Sequence, residues 1–514
     1  MALTKKNILL GNLGLDVSAP AEYIDDRATP NGQNMSINRN ILIKRCGTTA
    51  LGTSLGEEVM FITELLREGV RYVVRIGLTK IELLNQSNST WASICPVLSP
   101  LTGTTNDAVS VATPLLSSER ILCITNLVDN IRKYTGTGNT SDLGGTPPKA
   151  KYMVAYGSYL VLAYVDDGAY TRTMRVQWCD TGDCESWTLG TGVGNAGAID
   201  LLEDGNDITG LNIFGNYLCV HKEGCIYLGY LVTTANVFQF DRKATGVGTI
   251  CNNTIQNIGD STQIFLARDG IRIFNGISAP LITSPISDEL RESMNPKYIH
   301  KCWSIVVPEL NEYWVGIAIG SQTSPDTVYK YNYVTGQCYK DLRAGVTAIG
   351  VFQKTTGSTW DNDSGTWDEA TDRWDDYALS ELNKTILLGD NLGNTTKVDN
   401  SVNNDNSIAI TAFRDTKDFQ VDGDKGRLAR WLGMEIIAKG GSLTLSYSTN
   451  SGVNWITVET FALSSDFPSD DNPVMAYFDV VSSKIRFRFE NSVLGETFAL
   501  KDFIISYATR EVRK

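Results

Sequence analysis

His221 and His300 are the only two histidines in this chain of 514 residues. A hydrolase with a serine or cysteine nucleophile needs a histidine base, and neither histidine lies in a recognisable nucleophile signature. The pattern around His221 instead predicts a hairpin turn. No glycine-rich phosphate loop followed by Lys and Ser or Thr is present, and no His or Cys cluster has the spacing of metal ligands. We therefore expect no enzymatic activity, no metal and no cofactor.

Two segments resemble the Asp-box, a turn signature with the pattern Ser-x-Asp-x-Gly-x-x-x-Trp or one residue shorter. In such a turn the Asp or Asn side chain bonds to the backbone, Gly adopts a left-handed conformation and Trp packs beneath the hairpin. The first segment contains Asp180, Gly182 and Trp187, with Cys179 near the serine position. The second contains Ser448, Asn450, Gly452 and Trp455. Both predict structural turns, although Asp-boxes are familiar from sialidases, and a glycosidase would need paired carboxylates as well.

A third segment carries tryptophans at a spacing of seven, each followed by Asp: Trp360, Trp367 and Trp374. The surrounding sequence has seven acidic residues against one arginine. Calcium binding by Asp361 and Asp363 is one interpretation, but their spacing differs from the standard calcium loop. The others are a packed structural insertion, or tryptophan anchors that dock a subunit or fibre.

Composition indicates an ordinary globular protein with an acidic surface. Hydrophobic residues make up 42% of the chain, charged residues 20%, and the formal net charge is −13. The sequence has no cluster of Lys and Arg of the kind that binds nucleic acid, so DNA near this protein would be repelled rather than bound. Ten cysteines without a Cys-x-x-Cys pair predict buried, reduced thiols. No apolar run is long enough for a membrane span, and the run at residues 8–10 is too short for a secretory signal.

Short alternating apolar runs separated by Gly- or Asn-containing turns recur along the chain, and each predicts a β-hairpin. Seven such hairpins occur at separations close to the roughly 40–50 residues of a four-stranded propeller blade. They are centred on Tyr72, Ile121, Tyr159, Tyr217, Ile264, Tyr313 and Ile386. Stacking small sheets around an axis covers their apolar faces. The pattern thus predicts an all-β chain with a β-propeller of about seven blades, and a pair of β-sandwiches is the alternative.

Three regions follow from this pattern. Residues 1–57 show little regular alternation and are predicted to form an N-terminal arm on the propeller or on a neighbouring subunit. Residues 58–400 are predicted to form the propeller, with the Trp/Asp-rich insertion at 358–378. A polar, turn-prone stretch at 401–406 marks a boundary. Alternating runs in residues 407–514 then predict a C-terminal antiparallel β-sandwich.

The stretch NGQNMSINRNILIKRCGTT resembles the opening of bacteriophage tail proteins. The segments RVQWCDTGDCESW and WSIVVPELNEYWVGIAI, with the Trp-Asp repeats, are also similar to these proteins, in particular to the hub or nozzle group of short-tailed phages that includes packaged-DNA stabilisation proteins. One departure is Cys46, where this group commonly has Pro.

The resemblance implies a structural subunit of the virion tail that is assembled in the host cytoplasm. Six copies would form a ring below the portal and adaptor proteins, continue and close the DNA exit channel, and anchor fibres or a needle. DNA would pass without specific binding. The alternative function is a carbohydrate-binding or glycosidase-type propeller that acts on a host surface glycan.

Overall fold

The structure, a computed structural model, describes residues 3–9, 13–86, 88–190, 195–232, 237–353, 384–421, 426–468 and 472–509. Antiparallel strands dominate these residues. None of their helices is both long and apolar enough to cross a membrane. All ten cysteines are free thiols and eight are buried.

Seven small, mainly antiparallel sheets, numbered here in chain order, begin one after another between residues 61 and 346, and the last of them also includes strands at 47–50 and 404–409. Sheet 1 contains Phe61–Arg67, Val70–Ile76, Ile81–Asn85 and Thr90–Ser93. Sheet 2 contains Ser110–Ala112, Leu122–Thr125, Arg132–Tyr134 and Ser141–Asp142, with a side hairpin of Leu115–Leu116 and Glu119–Arg120. Sheet 3 contains Lys149–Tyr156, Tyr159–Asp166, Thr171–Trp178 and Gly197–Asp200.

Sheets 4 to 6 continue the same up-and-down order, whereas sheet 7 also takes in a strand from the N-terminal segment and contains one parallel pairing, between Asp405 and Thr48. Sheet 4 contains Ile208–Phe214, Tyr217–Lys222, Cys225–Leu231 and Phe238–Thr245. Sheet 5 contains Gln256–Asn257, Gln263–Ala267 and Gly270–Phe274. Sheet 6 contains Trp303–Val307, Glu312–Ile317, Thr327–Asn332 and Cys338–Leu342. Sheet 7 contains Val346–Phe352, Thr385–Asp390, Thr395–Asp399, Gly47–Ala50, Asn404–Asp405 and Ile408–Ala409.

Helix is confined to short connectors within the described residues. The α-helix Ser287–Ser293 lies between sheets 5 and 6. The 3₁₀ turns are Asn252–Thr254, Ser284–Ile286, Pro296–Lys301 and Pro308–Leu310.

Apolar clusters join each of the seven sheets to the next and close the series into a ring. The second strands of several sheets, such as Gln263–Ala267 and Glu312–Ile317, are buried along their whole length. A strand buried on both faces must be covered by a sheet on each side. The ring closes where Leu387 of sheet 7 shares a cluster with Ile62 and Val73 of sheet 1. This cyclic stacking is a β-propeller, as the hairpin pattern predicts.

Two further sheets share one apolar core and form a sandwich. Sheet 8 has the order Met35–Asn38, Ile41–Lys44, Phe498–Thr509, Ala429–Gly440, Val474–Ser482, and Leu3–Leu9 also pairs with Phe498–Thr509. Sheet 9 has the order Gly32–Gln33, Ala412–Asp415, Lys484–Asn491, Ser442–Ser448, Ile456–Ala462, and Phe419–Gln420 also pairs with Lys484–Asn491.

The N-terminal segment differs from the arm predicted for residues 1–57. Its strands up to Ile41–Lys44 belong to the sandwich. Leu3–Leu9, Gly32–Gln33 and Ile41–Lys44 pair with strands more than 370 residues later in the chain, and Met35–Asn38 pairs with Ile41–Lys44. Gly47–Ala50 then pairs antiparallel with Thr395–Asp399 and completes sheet 7. Because each part finds its partners at the far end of the sequence, this segment ties the two units together instead of lying on their surface.

Candidate functional site

The first strands of all seven propeller sheets converge on an axial cavity of about 230 Å³. Each sheet contributes at least one lining residue, for example Phe61, Ser110, Met153, Leu211, Gln256, Ser304 and Ala348. This volume lies below the ~300–1,000 Å³ of typical small-molecule sites. The seven first strands thus leave only a small space between them at the propeller axis.

Polar residues on these first strands bond across to the neighbouring sheet. The Ser110 hydroxyl accepts a hydrogen bond from the Met153 amide at 3.1 Å. Gln256 donates through Nε2 to the Ser304 carbonyl at 3.1 Å, and the Thr347 hydroxyl donates to the Val59 carbonyl at 2.7 Å. Such bonds satisfy backbone groups at the axis and fix the spacing of adjacent sheets.

A second and larger cavity of about 410 Å³ opens at one end of the axis, where the first strands of sheets 3 and 4 begin. We call it the mouth cavity. Asn252 and Asn253 line both cavities, so the two are neighbours along the axis. The mouth cavity is polar, and its lining includes Lys151, Asp207 and His300.

Tyr164 reaches the mouth cavity because of an irregularity in its strand. The register between the second and third strands of sheet 3 shifts between Ala163 and Val165, and Tyr164 has φ +56°. A β-bulge of this kind turns a side chain away from its regular direction. The Lys151 ammonium lies 5.0 Å from the centre of the Tyr164 ring. Burial and the nearby Asp207 raise the pKa of Tyr164.

Two polar groups of the mouth cavity have hydrogen-bonding capacity left over. His300 Nε2 is buried without a hydrogen-bond partner among the residues that the structure describes. Burial, with the positive charges of Lys301 and Lys151, lowers the pKa of His300, which keeps the imidazole neutral. Asp207 is exposed, and no hydrogen bond or ion pair of its carboxylate is found in the described part of the chain.

The first predicted Asp-box forms a compact turn in sheet 3. The Asp180 carboxylate accepts hydrogen bonds from the Ser186 hydroxyl and the Ala196 amide. Gly182 has φ +76°, and Trp187 is buried with its indole N–H donating to the Cys184 carbonyl at 2.8 Å. These contacts stabilise a turn and engage both oxygens of the Asp180 carboxylate.

The second predicted Asp-box closes a hairpin of sheet 9. The Ser448 hydroxyl accepts from the Gly452 amide at 2.9 Å, and Asn450 Oδ1 accepts from the Asn454 amide at 2.9 Å. Trp455 is covered by the Arg488 guanidinium, 4.2 Å from the ring centre. The structure places this turn in the sandwich, in a different unit from Asp180, so the two segments do not form one site.

Trp360, Trp367 and Trp374 lie outside the described residues, as do Asp361, Asp363 and the rest of the insertion at 358–378. Among the residues that are described, no group of three or more His, Cys, Asp or Glu side chains is arranged to hold a metal ion. His221 is not in a turn, since it lies in the strand Tyr217–Lys222 and is fully buried.

The mouth cavity has no motif of its own in the sequence. Its lining comes from segments as far apart as Ala108 and His300, and none of these segments has a motif of its own. The one local signal is Gly-Asn-Asp at 205–207, a turn-forming tripeptide that any surface loop can carry.

No protein-family model and no curated protein matches the chain. Among solved structures, the chain is similar to BamB from Moraxella catarrhalis, with 12% identity, a TM-score of 0.37, and coverage of 77% of this chain and 97% of that one. It is also similar to the Pan2 WD40 domain of Neurospora crassa, with 9% identity, a TM-score of 0.36, and coverage of 68% and 94%. Similarity at this level carries no functional argument. The β-propeller is assigned from the sheet order and the closed ring of apolar clusters in this chain itself.

Proposed function

We propose that this protein is a structural subunit of a bacteriophage tail, a nozzle or hub. Six copies form a ring that continues and closes the DNA exit channel below the portal and adaptor proteins and anchors fibres or a needle. The protein is assembled in the host cytoplasm, resides in the virion tail and catalyses no reaction of its own. The observation that carries the proposal is the interlacing of propeller and sandwich by residues 13–50.

A segment that pairs with both the propeller and the sandwich suits a subunit that must keep its shape when force acts on it. The Asn34 backbone amide donates to the Lys340 carbonyl of sheet 6 at 2.8 Å, and its side chain donates to the Thr411 carbonyl at 2.7 Å. Arg45, three residues before Thr48 of sheet 7, forms an ion pair with Asp405 at 2.5 Å. Separating the two units therefore requires breaking strand pairs and buried polar contacts at the same time.

The narrow axis has a consequence for the proposed channel. A DNA duplex, whose major groove alone is about 12 Å wide, is too wide for an axis where the first strands enclose a cavity of only about 230 Å³. A conduit must instead lie between several copies of the chain, which is why the proposal requires a ring. The net charge of −13 favours this role, because an acidic wall does not hold the phosphate backbone.

The sandwich offers a surface for a neighbouring copy. One side of it faces the propeller, where Gly32–Gln33 and Met35–Asn38 contact Cys338–Leu342. On the opposite side, Val474–Ser482 pairs only with Ala429–Gly440 among the described strands, so its other edge is open. Tyr477 is 74% exposed on this strand. An open edge with apolar side chains is a typical site of strand addition or subunit contact.

The proposal is tested by measuring the mass of the purified full-length protein with sedimentation and native mass spectrometry. We expect a six-copy species, and we expect the double variant Tyr477→Lys, Val481→Lys to shift it toward smaller species because buried lysines destabilise an interface. The matched control Tyr170→Lys changes an exposed tyrosine of the propeller and leaves the mass unchanged. A wild-type chain that stays monomeric at every concentration contradicts the proposal.

A further inference from the structure

We propose that the mouth cavity is a binding site for one sugar residue of a surface glycan. The inference goes beyond the assembly role and does not depend on it. It stands on the size of the cavity, the unmet hydrogen-bonding capacity of its lining, the position of Tyr164 and the balance of charge.

The cavity has the volume of a small-molecule site and not of a structural void. Its 410 Å³ falls within the ~300–1,000 Å³ range of ligand pockets. At about 30 Å³ per water molecule, it has room for on the order of a dozen waters. A single ring with several hydroxyl groups replaces such waters with equivalent hydrogen bonds.

The polar lining suits hydroxyl groups, each of which donates and accepts. Asp207 offers a carboxylate acceptor, and His300 Nε2 is a buried ring nitrogen without a partner in the described structure. Asn253 adds an amide whose Oδ1 accepts from Asn252 Nδ2 at 3.4 Å and whose NH₂ group is a further donor. A ligand with alternating donors and acceptors on adjacent carbons can use all three groups, and an apolar ligand leaves them unsatisfied.

Tyr164 provides an aromatic surface at the same place. A residue other than glycine at φ +56° costs conformational energy, and such strain persists only where the surroundings enforce it. Here the bulge places Tyr164 in the wall of the cavity, where its ring also packs against the apolar core of sheets 2 to 4. The apolar face of a sugar ring packs on aromatic rings of this kind.

The charges of the lining offset one another, which favours an uncharged ligand. Lys151 lies over the rings of Tyr152 and Tyr164, at 5.5 and 5.0 Å from their centres. Glu223 is paired with Arg268. The positive charge of Lys151 and the negative charge of Asp207 remain, and they balance each other within the lining. A neutral sugar is therefore the ligand class that matches this site.

Ligand-observed NMR on the full-length protein tests the inference, with glucose, galactose, rhamnose and N-acetylglucosamine as separate probes. We expect at least one probe to show saturation transfer from the protein. Tyr164→Ala and Asp207→Ala should each weaken its binding about tenfold or more, the cost of one lost hydrogen bond or packing surface. Tyr217→Ala and Asp260→Ala, exposed positions at the opposite ends of their sheets, serve as controls and should bind as the wild type does.

Two results would overturn the site. One is the absence of saturation transfer with all four sugars, and the other is unchanged binding in both Tyr164→Ala and Asp207→Ala. If the circular dichroism spectrum shows that Asp207→Ala does not fold, Asp207→Asn is measured in its place, because it keeps the side-chain volume. A chain that binds sugar as a monomer supports the site while contradicting the six-copy ring, so the two proposals fail separately.

Discussion

Arg45 contacts three parts of the chain that are far apart in sequence. Its guanidinium pairs with Asp405 at 2.5 Å, donates through Nε to Asn34 Oδ1 at 2.8 Å and through Nη2 to the Leu342 carbonyl at 3.0 Å. Its side chain is 3% exposed. Removing one partner from such a buried set leaves other charges and dipoles without compensation.

The substitution Arg45→Met is expected to lower the free energy of unfolding by about 3 kcal/mol, the usual cost of breaking a buried ion pair. Urea unfolding followed by circular dichroism measures the difference. The control is Arg430→Ala, which breaks the surface pair with Asp479 and should cost less than about 1 kcal/mol. An equal loss of unfolding free energy in the two variants would show that Arg45 does not stabilise the contact between the propeller and the sandwich.

His221 makes the stability of the propeller sensitive to acid. Its Nε2 lies 2.7 Å from Gln263 Oε1, its ring packs on Phe265, and burial lowers its pKa to about 4. The folded state thus keeps the imidazole neutral while the unfolded chain takes up a proton near pH 6.5. Stability contributed by neutral His221 is present above pH 6.5 and is lost as the pH falls toward 4.

The substitution His221→Gln retains a polar partner for Gln263 and removes this titration. We expect the loss of unfolding free energy between pH 6.5 and pH 4 to be smaller in the variant by roughly 3 kcal/mol. Urea unfolding of both proteins across that interval measures the difference, since all carboxylates titrate alike in the two. Parallel pH profiles would mean that His221 is not buried as a neutral ring.

At the scale of elements, the strand Gly47–Ala50 closes the propeller. Gly47 packs directly against the backbone of Asn404. A Cβ atom added at Gly47 would lie 1.9 Å from the Asn404 carbonyl oxygen. The backbone cannot absorb this contact without moving the strand. Sheet 7 therefore depends on glycine at this position.

We expect Gly47→Ala to loosen sheet 7 and to lower the unfolding free energy by about 2 kcal/mol or more. Hydrogen exchange should accelerate first in Thr395–Asp399, the strand paired with Gly47–Ala50. Gly32→Ala is the matched control, because its added Cβ would meet the Phe413 carbonyl oxygen at an ordinary 3.4 Å. Unaltered exchange in Thr395–Asp399 would contradict the closure.

The hairpins were predictable because their signal is local. Each of the seven predicted positions, from Tyr72 to Ile386, falls in or next to the second strand of a different sheet. The closing strand was not predictable, since Gly-Thr-Thr-Ala has little alternation and its partner lies about 350 residues away. The predicted turn at His221 was wrong. The polar Lys222 suggested a turn, but this residue is buried in the strand, where its Nζ donates to the Leu201 carbonyl at 2.5 Å.

The same difference between local and distant contacts applies to the candidate sites. The Asp-box turns at Asp180 and Ser448 could be identified because each is a continuous stretch of sequence. The mouth cavity could not, because Lys151, Asp207 and His300 come together only when the ring of sheets is closed. A cavity assembled from several sheets leaves no spacing signal in the sequence.

In the molecule as a whole, one propeller and one sandwich are held together by the N-terminal segment, which contributes strands to both. The acidic surface, the narrow axis and the open edge at Val474–Ser482 are together consistent with a ring in which DNA passes between copies. We therefore propose that the DNA channel lies between copies of the chain and not within a single copy.

Electron cryomicroscopy of the purified assembly, or of tails that contain it, tests this claim most directly. We predict six copies around a central opening wide enough for a DNA duplex, with the axis of every propeller too narrow for DNA and Val474–Ser482 at the contact between neighbours. A map with one isolated copy, or with DNA density along the axis of a propeller, would contradict it.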